Sequence, residues 1–190
     1  MAFKNWCLQK SMIIALVILS SLFFFLSCFH DKKEFDLTCN KVTNSGIDTV
    51  TQWTLSIERN RDLYSFLYYQ NIKNSYKFET AFDKTNCTLI AQKDTFYLDF
   101  VQTKVIKLNN INYIVYSYRY SDLYSIDSSV NFFMTKEFGV LNAVNKAWDN
   151  KFIIFFLDKK YHKVVAKLNQ TIMEDTVYYW YDNELPPILD

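Results

Sequence analysis

The sequence predicts a mainly β (α+β) fold: an antiparallel sheet, sandwich or half-barrel with one late amphipathic helix. About eight segments alternate apolar and polar residues with a period of two, at spacings of roughly 10–12 residues, as antiparallel strands do. Phenylalanine, tyrosine and tryptophan make up 18% of the chain, and aromatic residues favour strands. One stretch near the C-terminus instead repeats apolar residues at helical spacing, which predicts the helix.

The first strands are predicted between residues 51 and 108. Trp53, Leu55 and Ile57 alternate with polar residues, as on the buried face of a half-buried strand. Similar alternation predicts strands in DLYSFLYY, SYKFETAF, TLIAQ, TFYLDFV and VIKL. Because the chain has only two glycines and two prolines, we expect its turns to use Asn and Asp, as in the NNIN that follows VIKL.

The clearest alternation lies in YIVYSYRY, residues 113–120. One face would carry Ile114, Tyr116, Tyr118 and Tyr120, and the other Tyr113, Val115, Ser117 and Arg119. SVNFFMT and KFIIFFL predict two more strands. Residues 138–150 fit either a helix or a hairpin, and we favour the hairpin because the turn-forming segment WDNK precedes FIIFF. The tail VYYWYDNELPPILD predicts one last strand, which Pro186 and Pro187 would end.

The predicted helix covers KKYHKVVAKLNQTIMED, residues 159–175. Its apolar positions recur three or four residues apart, as on one face of a helix: Tyr161, Val164, Val165, Leu168 and Ile172. The opposite, solvent-exposed face of this helix would carry Lys159, Lys160, Lys163 and Lys167. Asp158 directly precedes this segment and is a suitable N-cap, because its carboxylate can accept a hydrogen bond from a first-turn N–H.

The N-terminus has the pattern of a secretory signal. Lys4 and Lys10 precede an uncharged apolar run, SMIIALVILSSLFFFL, after which Ser27 and Cys28 stand before a charged segment. Ser27-Cys28 resembles the lipobox of bacterial lipoproteins, and the aromatic run before it is similar to lipoproteins of Bacteroidetes-type bacteria. The resemblance implies that Cys28 is lipidated on sulfur, becomes the new N-terminus and holds the protein at a membrane of the bacterial cell envelope.

This interpretation divides the chain into three parts. Residues 1–27 would be a signal peptide, residues 28–38 a lipidated N-terminus and tether, and residues 39–190 a single β-rich globular domain. The lipid would be the link to the membrane, on its periplasmic or surface face.

Two alternatives stay open for the N-terminus. The uncharged run between Lys10 and His30 has 19 residues, and a membrane-spanning helix needs about 17–25, so the run could be an uncleaved transmembrane anchor. Ordinary signal cleavage is the other alternative. Lys32 and Lys33 disfavour the anchor, because positive charge prefers the cytoplasmic side of a membrane. The lipoprotein and the anchor both place the domain outside the cytoplasm.

Composition and charge limit the function classes. Beyond residue 27 the chain keeps 163 residues, the size of one domain, with 19 basic and 20 acidic side chains. A nearly neutral chain lacks the basic surface that binds nucleic acid, so we expect no nucleic-acid partner. Cys39 and Cys87 could form a disulfide in an oxidising compartment, worth about 3–4 kcal/mol, or remain two buried free thiols.

No motif assigns a reaction, and we expect neither a cofactor nor a metal. A zinc site needs clustered ligands, and only His30 and His162 are present. His162 lies among lysines, where a role as catalytic base is disfavoured. Two glycines cannot build a phosphate-binding loop. Paired acids could act as acid and base only if folding brought them into one cleft: Glu34 with Asp36, Asp122 with Asp127, or Glu174 with Asp175.

Aromatic residues are the candidates for ligand contact. A groove for sugars, peptides or lipids could be lined by Trp53, Tyr116, Tyr118 and Tyr120, together with the YYWY cluster at 178–181. The same rings could equally form the core of an aromatic-rich domain. A helix packed on a curved sheet would resemble the periplasmic lipoprotein carriers whose half-barrel holds acyl chains, although fold alone does not fix function.

Short motifs could also carry glycans. Thr49 and Thr176 stand in Asp-Thr-Val triplets, which match the short O-glycosylation motif of Bacteroidetes-type bacteria. Asn86 and Asn169 begin N-glycan sequons, which a bacterial lipoprotein would rarely use.

The leading functional hypothesis is a non-enzymatic envelope lipoprotein that binds a partner protein or an apolar or glycan ligand. A small envelope hydrolase with paired carboxylates is one alternative, and it requires a cleft in which acids converge. A structural or assembly subunit of an envelope complex is the other, and it requires a large exposed apolar patch.

Overall fold

The computed structural model describes residues 31–71, 74–83, 85–121, 129–145 and 150–179. Ten antiparallel strands form one closed barrel in which each strand pairs with its neighbours in the chain. The strands are β1 Asp31–Thr43, β2 Gly46–Asn60, β3 Leu63–Asn71, β4 Asn74–Thr80, β5 Cys87–Ala91, β6 Asp94–Leu108, β7 Ile111–Tyr120, β8 Val130–Thr135, β9 Gly139–Asn145 and β10 Asn150–Phe156. Two helices follow, α1 Lys159–Glu174 and α2 Thr176–Tyr179.

The prediction of a mainly β fold with one late amphipathic helix is confirmed. The sequence left open a sheet, a sandwich or a half-barrel, and the structure is a barrel that closes completely. Closure leaves no unpaired edge among the ten described strands, and it encloses a volume that an open sheet would not have.

β1 is the strand that closes the barrel. It pairs with β2 on one side and β10 on the other, so that Leu37 lies opposite both Trp53 and Phe156. The prediction of a tether over residues 28–38 is therefore wrong from its fourth residue onward. Charged side chains dominate this stretch, and only Phe35 and Leu37 show the alternation of a strand whose inner face packs in the core.

The predicted hairpin at residues 138–150 is confirmed in the part that the structure describes. β9 and β10 pair from Asn142 with Ile153 to Asn145 with Asn150, and residues 146–149 lie outside the described ranges. TFYLDFV and VIKL, predicted as separate strands, form the single strand β6, whose pairing with β7 shifts between Phe100 and Gln102. One strand with a local irregularity looks in sequence like two strands.

Asparagine forms the β6–β7 turn, as predicted. Asn109 and Asn110 have φ values of 49° and 64°, the left-handed conformation that a tight two-residue hairpin requires at both central positions. Asparagine tolerates this conformation better than most residues with a side chain, and so the chain can dispense with glycine here.

α1 begins and ends close to the predicted positions. The Asp158 carboxylate accepts a hydrogen bond from the Lys160 backbone N–H at 2.8 Å, as expected of an N-cap. The helix buries Val165, Leu168 and Ile172, which belong to its predicted apolar face.

The predicted C-terminal strand is wrong in its described part. Residues 176–179 form the short helix α2, and residues 180–190 lie outside the described ranges. Asp175 sits between the helices, and its carboxylate accepts a hydrogen bond from the Tyr178 N–H at 3.0 Å. This local hydrogen bond stabilises a helical turn at residues 176–179, and so this segment forms a helix where a strand was predicted.

The two helices cover one side of the barrel from outside. Asn169 of α1 donates to the Ile154 carbonyl of β10 at 3.1 Å and accepts from Asn142 Nδ2 of β9 at 2.7 Å. Phe133 of β8 packs against Tyr178 of α2, with ring centroids 5.4 Å apart. Alternate residues of the same strands point into the barrel.

Aromatic side chains fill one end of the barrel, called here the closed end. Phe82 packs on Tyr116 with centroids 4.6 Å apart, and Phe35 packs on Phe156 at 5.2 Å. Tyr161 of α1 adds an edge contact to Phe35 at 5.3 Å. The β2–β3, β6–β7 and β8–β9 turns lie at this end, and the β1–β2, β3–β4 and β5–β6 hairpins lie at the opposite, open end.

Candidate ligand-binding cavity

A cavity of about 430 Å³ lies inside the barrel towards the open end. On one side it is lined by Leu37, Cys39, Lys41, Thr49, Thr51, Trp53 and Tyr68. The rest of the lining comes from Tyr76, Phe78, Leu89, Val130, Phe132, Val140, Ala143, Phe152 and Ile154. Most of these side chains are aliphatic or aromatic, so the cavity is apolar with a few polar groups, as small-molecule sites usually are.

Tyr68 fixes the inner part of the cavity. Its hydroxyl accepts a hydrogen bond from the Val140 backbone N–H at 2.6 Å, and its ring meets Phe78 edge-on at 5.9 Å. Burial raises the pKa of Tyr68 well above the ordinary value, so the phenol stays neutral. The residue thus links β3 to β9 across the barrel interior through a polar bond within apolar surroundings.

Gly139 allows this close approach. Its φ is 66°, and a Cβ at this position would lie 2.8 Å from Phe66 Cδ1 and would also collide with the Tyr68 hydroxyl. Only glycine offers both the left-handed backbone and the missing side chain that the packing needs.

Trp53 forms one wall of the cavity. Its indole ring packs near Tyr76, with centroids 5.6 Å apart, and its Nε1–H donates to Thr51 Oγ1 at 2.9 Å. The Thr51 hydroxyl in turn donates to the Cys39 carbonyl at 3.3 Å. Because these polar groups satisfy one another, the wall presents mainly apolar surface to a ligand.

Charge and aromatic surface meet at the mouth. Lys41 lines the cavity and pairs with Asp48, at 2.9 Å between Nζ and Oδ2. Large rings remain open to solvent there, with Tyr76 45% and Phe152 39% exposed. The mouth can therefore contact both an apolar body and a polar group of the same ligand.

Cys39 and Cys87 are both free thiols in the structure. Of the two predicted states, a disulfide or two free thiols, the structure has the free thiols. Cys39 is half-buried in the cavity wall, and burial raises the pKa of its thiol to about 11. Cys87 is fully buried in the core, where burial raises its pKa to about 12. Both thiols are thus poor nucleophiles at neutral pH.

The predicted ligand-contact residues divide between cavity and core. Trp53 lines the cavity. Tyr116 and Tyr118 are buried among the rings of the core instead, and Tyr118 shares a 2.9 Å hydrogen bond with Thr80. Tyr120 is half-buried against Phe96, with centroids 5.4 Å apart, and does not line the cavity.

Sequence reasoning missed most of the lining. Tyr68, Phe78, Phe132 and Ile154 lie on predicted strands, and their alternation marks them as inward-facing. It does not say which inward residues pack tightly and which leave space, because that depends on strands from opposite sides of the barrel.

The candidate acids do not converge where the structure describes them. Glu34 pairs with Lys32 at 3.0 Å, and Asp36 accepts a hydrogen bond from Thr54 at 3.3 Å. Glu174 accepts from Gln170, whereas its neighbour Asp175 pairs with Lys104. Asp122 and Asp127 lie outside the described residues.

His162 makes contacts that hold the start of α1 against β10. Its Nδ1–H donates to the Phe156 carbonyl at 3.0 Å, and its ring stacks on Phe155 with centroids 5.7 Å apart. Among the described residues, no group of three or more His, Cys, Asp or Glu could hold a metal ion. Cys28 and His30 lie outside the described ranges.

Both candidate O-glycosylation residues are accessible. Thr49 is exposed at the mouth of the cavity, and Thr176 is exposed at the start of α2. A glycan on Thr49 would stand beside the opening.

The fold and the site place this chain in a structural class: closed antiparallel barrels with an apolar internal cavity and a helix packed outside. No family model matches the chain, and no curated protein sequence matches it. In the part of the chain that the structure describes, no helix is long and apolar enough to cross a membrane.

Proposed function

We propose that this protein binds a small, mainly apolar molecule inside its barrel and is not an enzyme. The apolar cavity of about 430 Å³ is the observation that carries the proposal. Its volume falls in the range of roughly 300–1,000 Å³ that is usual for small-molecule sites, and its lining is dominated by aliphatic and aromatic side chains. Burial of the apolar area of a ligand there supplies the binding free energy.

The polar groups favour a particular kind of ligand. Lys41 and Thr49 lie near the mouth, whereas Leu89, Phe132 and Ile154 line the rest with hydrocarbon. A molecule with an apolar body and one polar end, placed at the mouth, matches this distribution. A glycan matches it less well, because each buried sugar hydroxyl needs a partner, and Trp53 and Thr51 already satisfy one another.

We further propose that the protein is an envelope lipoprotein, tethered through Cys28. The basic N-terminus, the apolar run and the Ser27-Cys28 pair support this location. The test is the intact mass of the protein from the membrane fraction of its host. A chain that begins at Cys28 and carries added acyl mass, absent from a Cys28→Ala variant, is expected. An unprocessed chain in the membrane would instead indicate a transmembrane anchor.

The test of the binding function uses a cavity-filling substitution. Ala143 is buried in the cavity lining, so Ala143→Trp would occupy the space of the ligand. Leu157→Trp is the matched control, because Leu157 is 52% exposed and lies outside the cavity. Titration with anilinonaphthalene sulfonate, an apolar fluorescent probe with one charged end, measures binding.

We expect saturable binding to the native chain and to Leu157→Trp, and at least about tenfold weaker binding to Ala143→Trp, a loss of about 1.4 kcal/mol or more. Circular dichroism would verify that both variants fold. Equal affinity in all three proteins, or no saturable binding to the native chain, would contradict the proposal.

A further inference from the structure

The barrel has a defined direction relative to the N-terminal segment. Asp31, where the described chain begins, pairs with Arg59 just before the β2–β3 turn, and this turn belongs to the closed end. The cavity mouth lies at the other end, beside the β1–β2 hairpin. Residues 1–30 therefore join the barrel at the end opposite the mouth.

Apolar side chains are exposed at this closed end. The β6–β7 hairpin extends beyond its neighbours, since β5 pairs with β6 only up to Leu98 and β8 pairs with β7 only from Tyr116. The projecting part carries exposed apolar residues: Val105 is 60% exposed, Ile111 55% and Ile114 41%. Val105 and Ile114 are cross-strand partners, so their side chains form one small apolar surface.

Lysines stand at the same end. Lys32 and Lys33 are exposed at the start of β1, and three more lie in the first turns of α1. These three are Lys159, Lys160 and Lys163, which surround a shallow depression with Leu157 and His162. Leu157 N–H donates to the Asp36 carbonyl at 2.9 Å, which places the start of α1 beside β1. The acids at this end include Glu34, which pairs with Lys32, Glu58, which lies opposite Lys32 on β2, and the N-cap Asp158. Asp62, Asp83 and Glu137 lie in or beside the turns of the same end.

We propose that the closed end of the barrel docks on an anionic membrane surface. The hairpin residues Val105, Ile111 and Ile114 contact the apolar boundary of the bilayer, and the α1 lysines contact its headgroups. Exposed apolar side chains combined with clustered lysines are what anionic bilayers bind. β1 and β6 lie on opposite sides of the ring, so the N-terminal attachment and the hairpin would hold the barrel at two separated points. The proposal rests on the membrane tether of the proposed function.

This orientation has a consequence for the ligand. β1 spans 13 residues from the closed end to the open end, or roughly 30 Å along the barrel axis at about 3.3 Å per residue and a tilt near 40°. The mouth would thus face away from the membrane to which the protein is attached. The ligand would be exchanged with a carrier or another surface, and not with the lipid directly beneath the barrel.

Photo-cross-linking tests the proposal on the full-length protein in vesicles. The photoreactive residue p-benzoylphenylalanine replaces Ile111 at the closed end or, as the control, Ile47, which is 65% exposed at the open end. Vesicles contain phosphatidylglycerol with phosphatidylcholine, or phosphatidylcholine alone. Mass spectrometry then measures lipid adducts on each variant after flotation and illumination.

We expect lipid adducts at position 111 that exceed those at position 47 by at least about fivefold. We also expect them to decrease when phosphatidylglycerol is omitted or when Lys159, Lys160 and Lys163 are replaced by glutamate. Equal adducts at both positions, adducts mainly at 47, or none at either would overturn the docking. A chain that carries the acyl mass at Cys28 and still does not float with the vesicles would also overturn it. Intact mass reports the tether at Cys28, and probe titration reports binding in the cavity. Failure of the docking is therefore distinguishable from failure of either part of the proposed function.

Discussion

At the scale of single residues, Cys39 offers a direct report on the cavity. Its thiol lies in the lining, and burial raises its pKa to about 11. Only the thiolate reacts with alkylating agents, so its reaction with an apolar maleimide should be slow at neutral pH. The rate should rise about tenfold per pH unit up to the pKa, because the thiolate fraction does so.

Ligand in the cavity should protect Cys39 from this reagent. Mass spectrometry of alkylated peptides at increasing concentrations of anilinonaphthalene sulfonate measures the protection. Cys87 is the internal control, because it is fully buried outside the cavity lining. Alkylation of Cys39 at a rate that bound probe does not change would argue against occupation of the cavity.

Gly139 gives a second prediction at this scale. Gly139→Ala should lower the free energy of unfolding by about 1–3 kcal/mol, since alanine is strained at a positive φ and its methyl would collide with Phe66 and Tyr68. Urea unfolding measures the loss. Gly46→Ala is the comparison, because a Cβ there meets nothing within 4 Å and only backbone strain remains. An unchanged unfolding midpoint in Gly139→Ala would mean that the turn does not need glycine.

At the scale of secondary-structure elements, two buried asparagines join α1 to the barrel. Asn169 bridges Asn142 and the Ile154 carbonyl, and all of these groups are shielded from water. Removing one partner leaves a buried polar group unpaired, so Asn169→Ala should lower the free energy of unfolding by about 1–3 kcal/mol. Asn142→Ala should cost a similar amount.

A double-mutant cycle separates this bond from general packing. The double variant Asn142→Ala with Asn169→Ala should lower the free energy of unfolding by about 0.5–3 kcal/mol less than the sum of the two single changes. The reason is that each single change leaves the remaining amide without its hydrogen-bond partner. Strict additivity in urea unfolding would show that the two amides do not stabilise each other.

Asp175 connects α1, α2 and β6, and its contribution should depend on pH. The Lys104 ammonium and then the Tyr178 N–H hold the pKa of its carboxyl below the ordinary value. A lowered folded-state pKa means that the stabilisation is present above the unfolded pKa, about 3.9, and is lost as pH falls through the folded pKa. Because the pair is partly exposed, its contribution should stay below about 1 kcal/mol.

The substitution Asp175→Asn tests this dependence. The difference in unfolding free energy between the native chain and Asp175→Asn should be largest near pH 7 and should narrow towards pH 2.5. Asp62→Asn, at an exposed position of the β2–β3 turn, is the control. A difference of constant size across this pH range would show that the carboxylate charge is not responsible.

How far the sequence predicts these elements depends on how local their signals are. α1 was predicted almost to its ends, because its apolar spacing and the Asp158 N-cap lie within one segment. β1 was missed, because five of its first six residues are charged and because its pairing with β2 and β10 forms only when the barrel closes. Of the residues predicted to contact a ligand on the strands, only Trp53 lines the cavity. The other lining residues, such as Phe132, come near Trp53 only when the whole barrel closes, and the sequence of a single strand does not show this.

At the scale of the whole molecule, β1 closes the barrel by pairing with both β2 and β10. A substitution of Leu37 tests whether this strand belongs to the folded unit. Leu37 is fully buried between its partners in β2 and β10, whereas its neighbour Thr38 lies on the other face of the strand and is half-buried. If β1 belongs to the folded unit, Leu37→Ala should lower the free energy of unfolding by about 2–5 kcal/mol, because the substitution leaves a cavity in the core.

Thr38→Ala should change the free energy of unfolding by less than about 1 kcal/mol, since it removes little buried surface. Urea unfolding followed by circular dichroism and by tryptophan fluorescence should give coincident transitions for all three proteins, as one cooperative barrel requires. A flexible tether would give the opposite pattern, with Leu37→Ala and Thr38→Ala equally harmless. Loss of stability together with weaker probe binding in Leu37→Ala alone would establish that the strand nearest the N-terminal attachment also builds the ligand cavity.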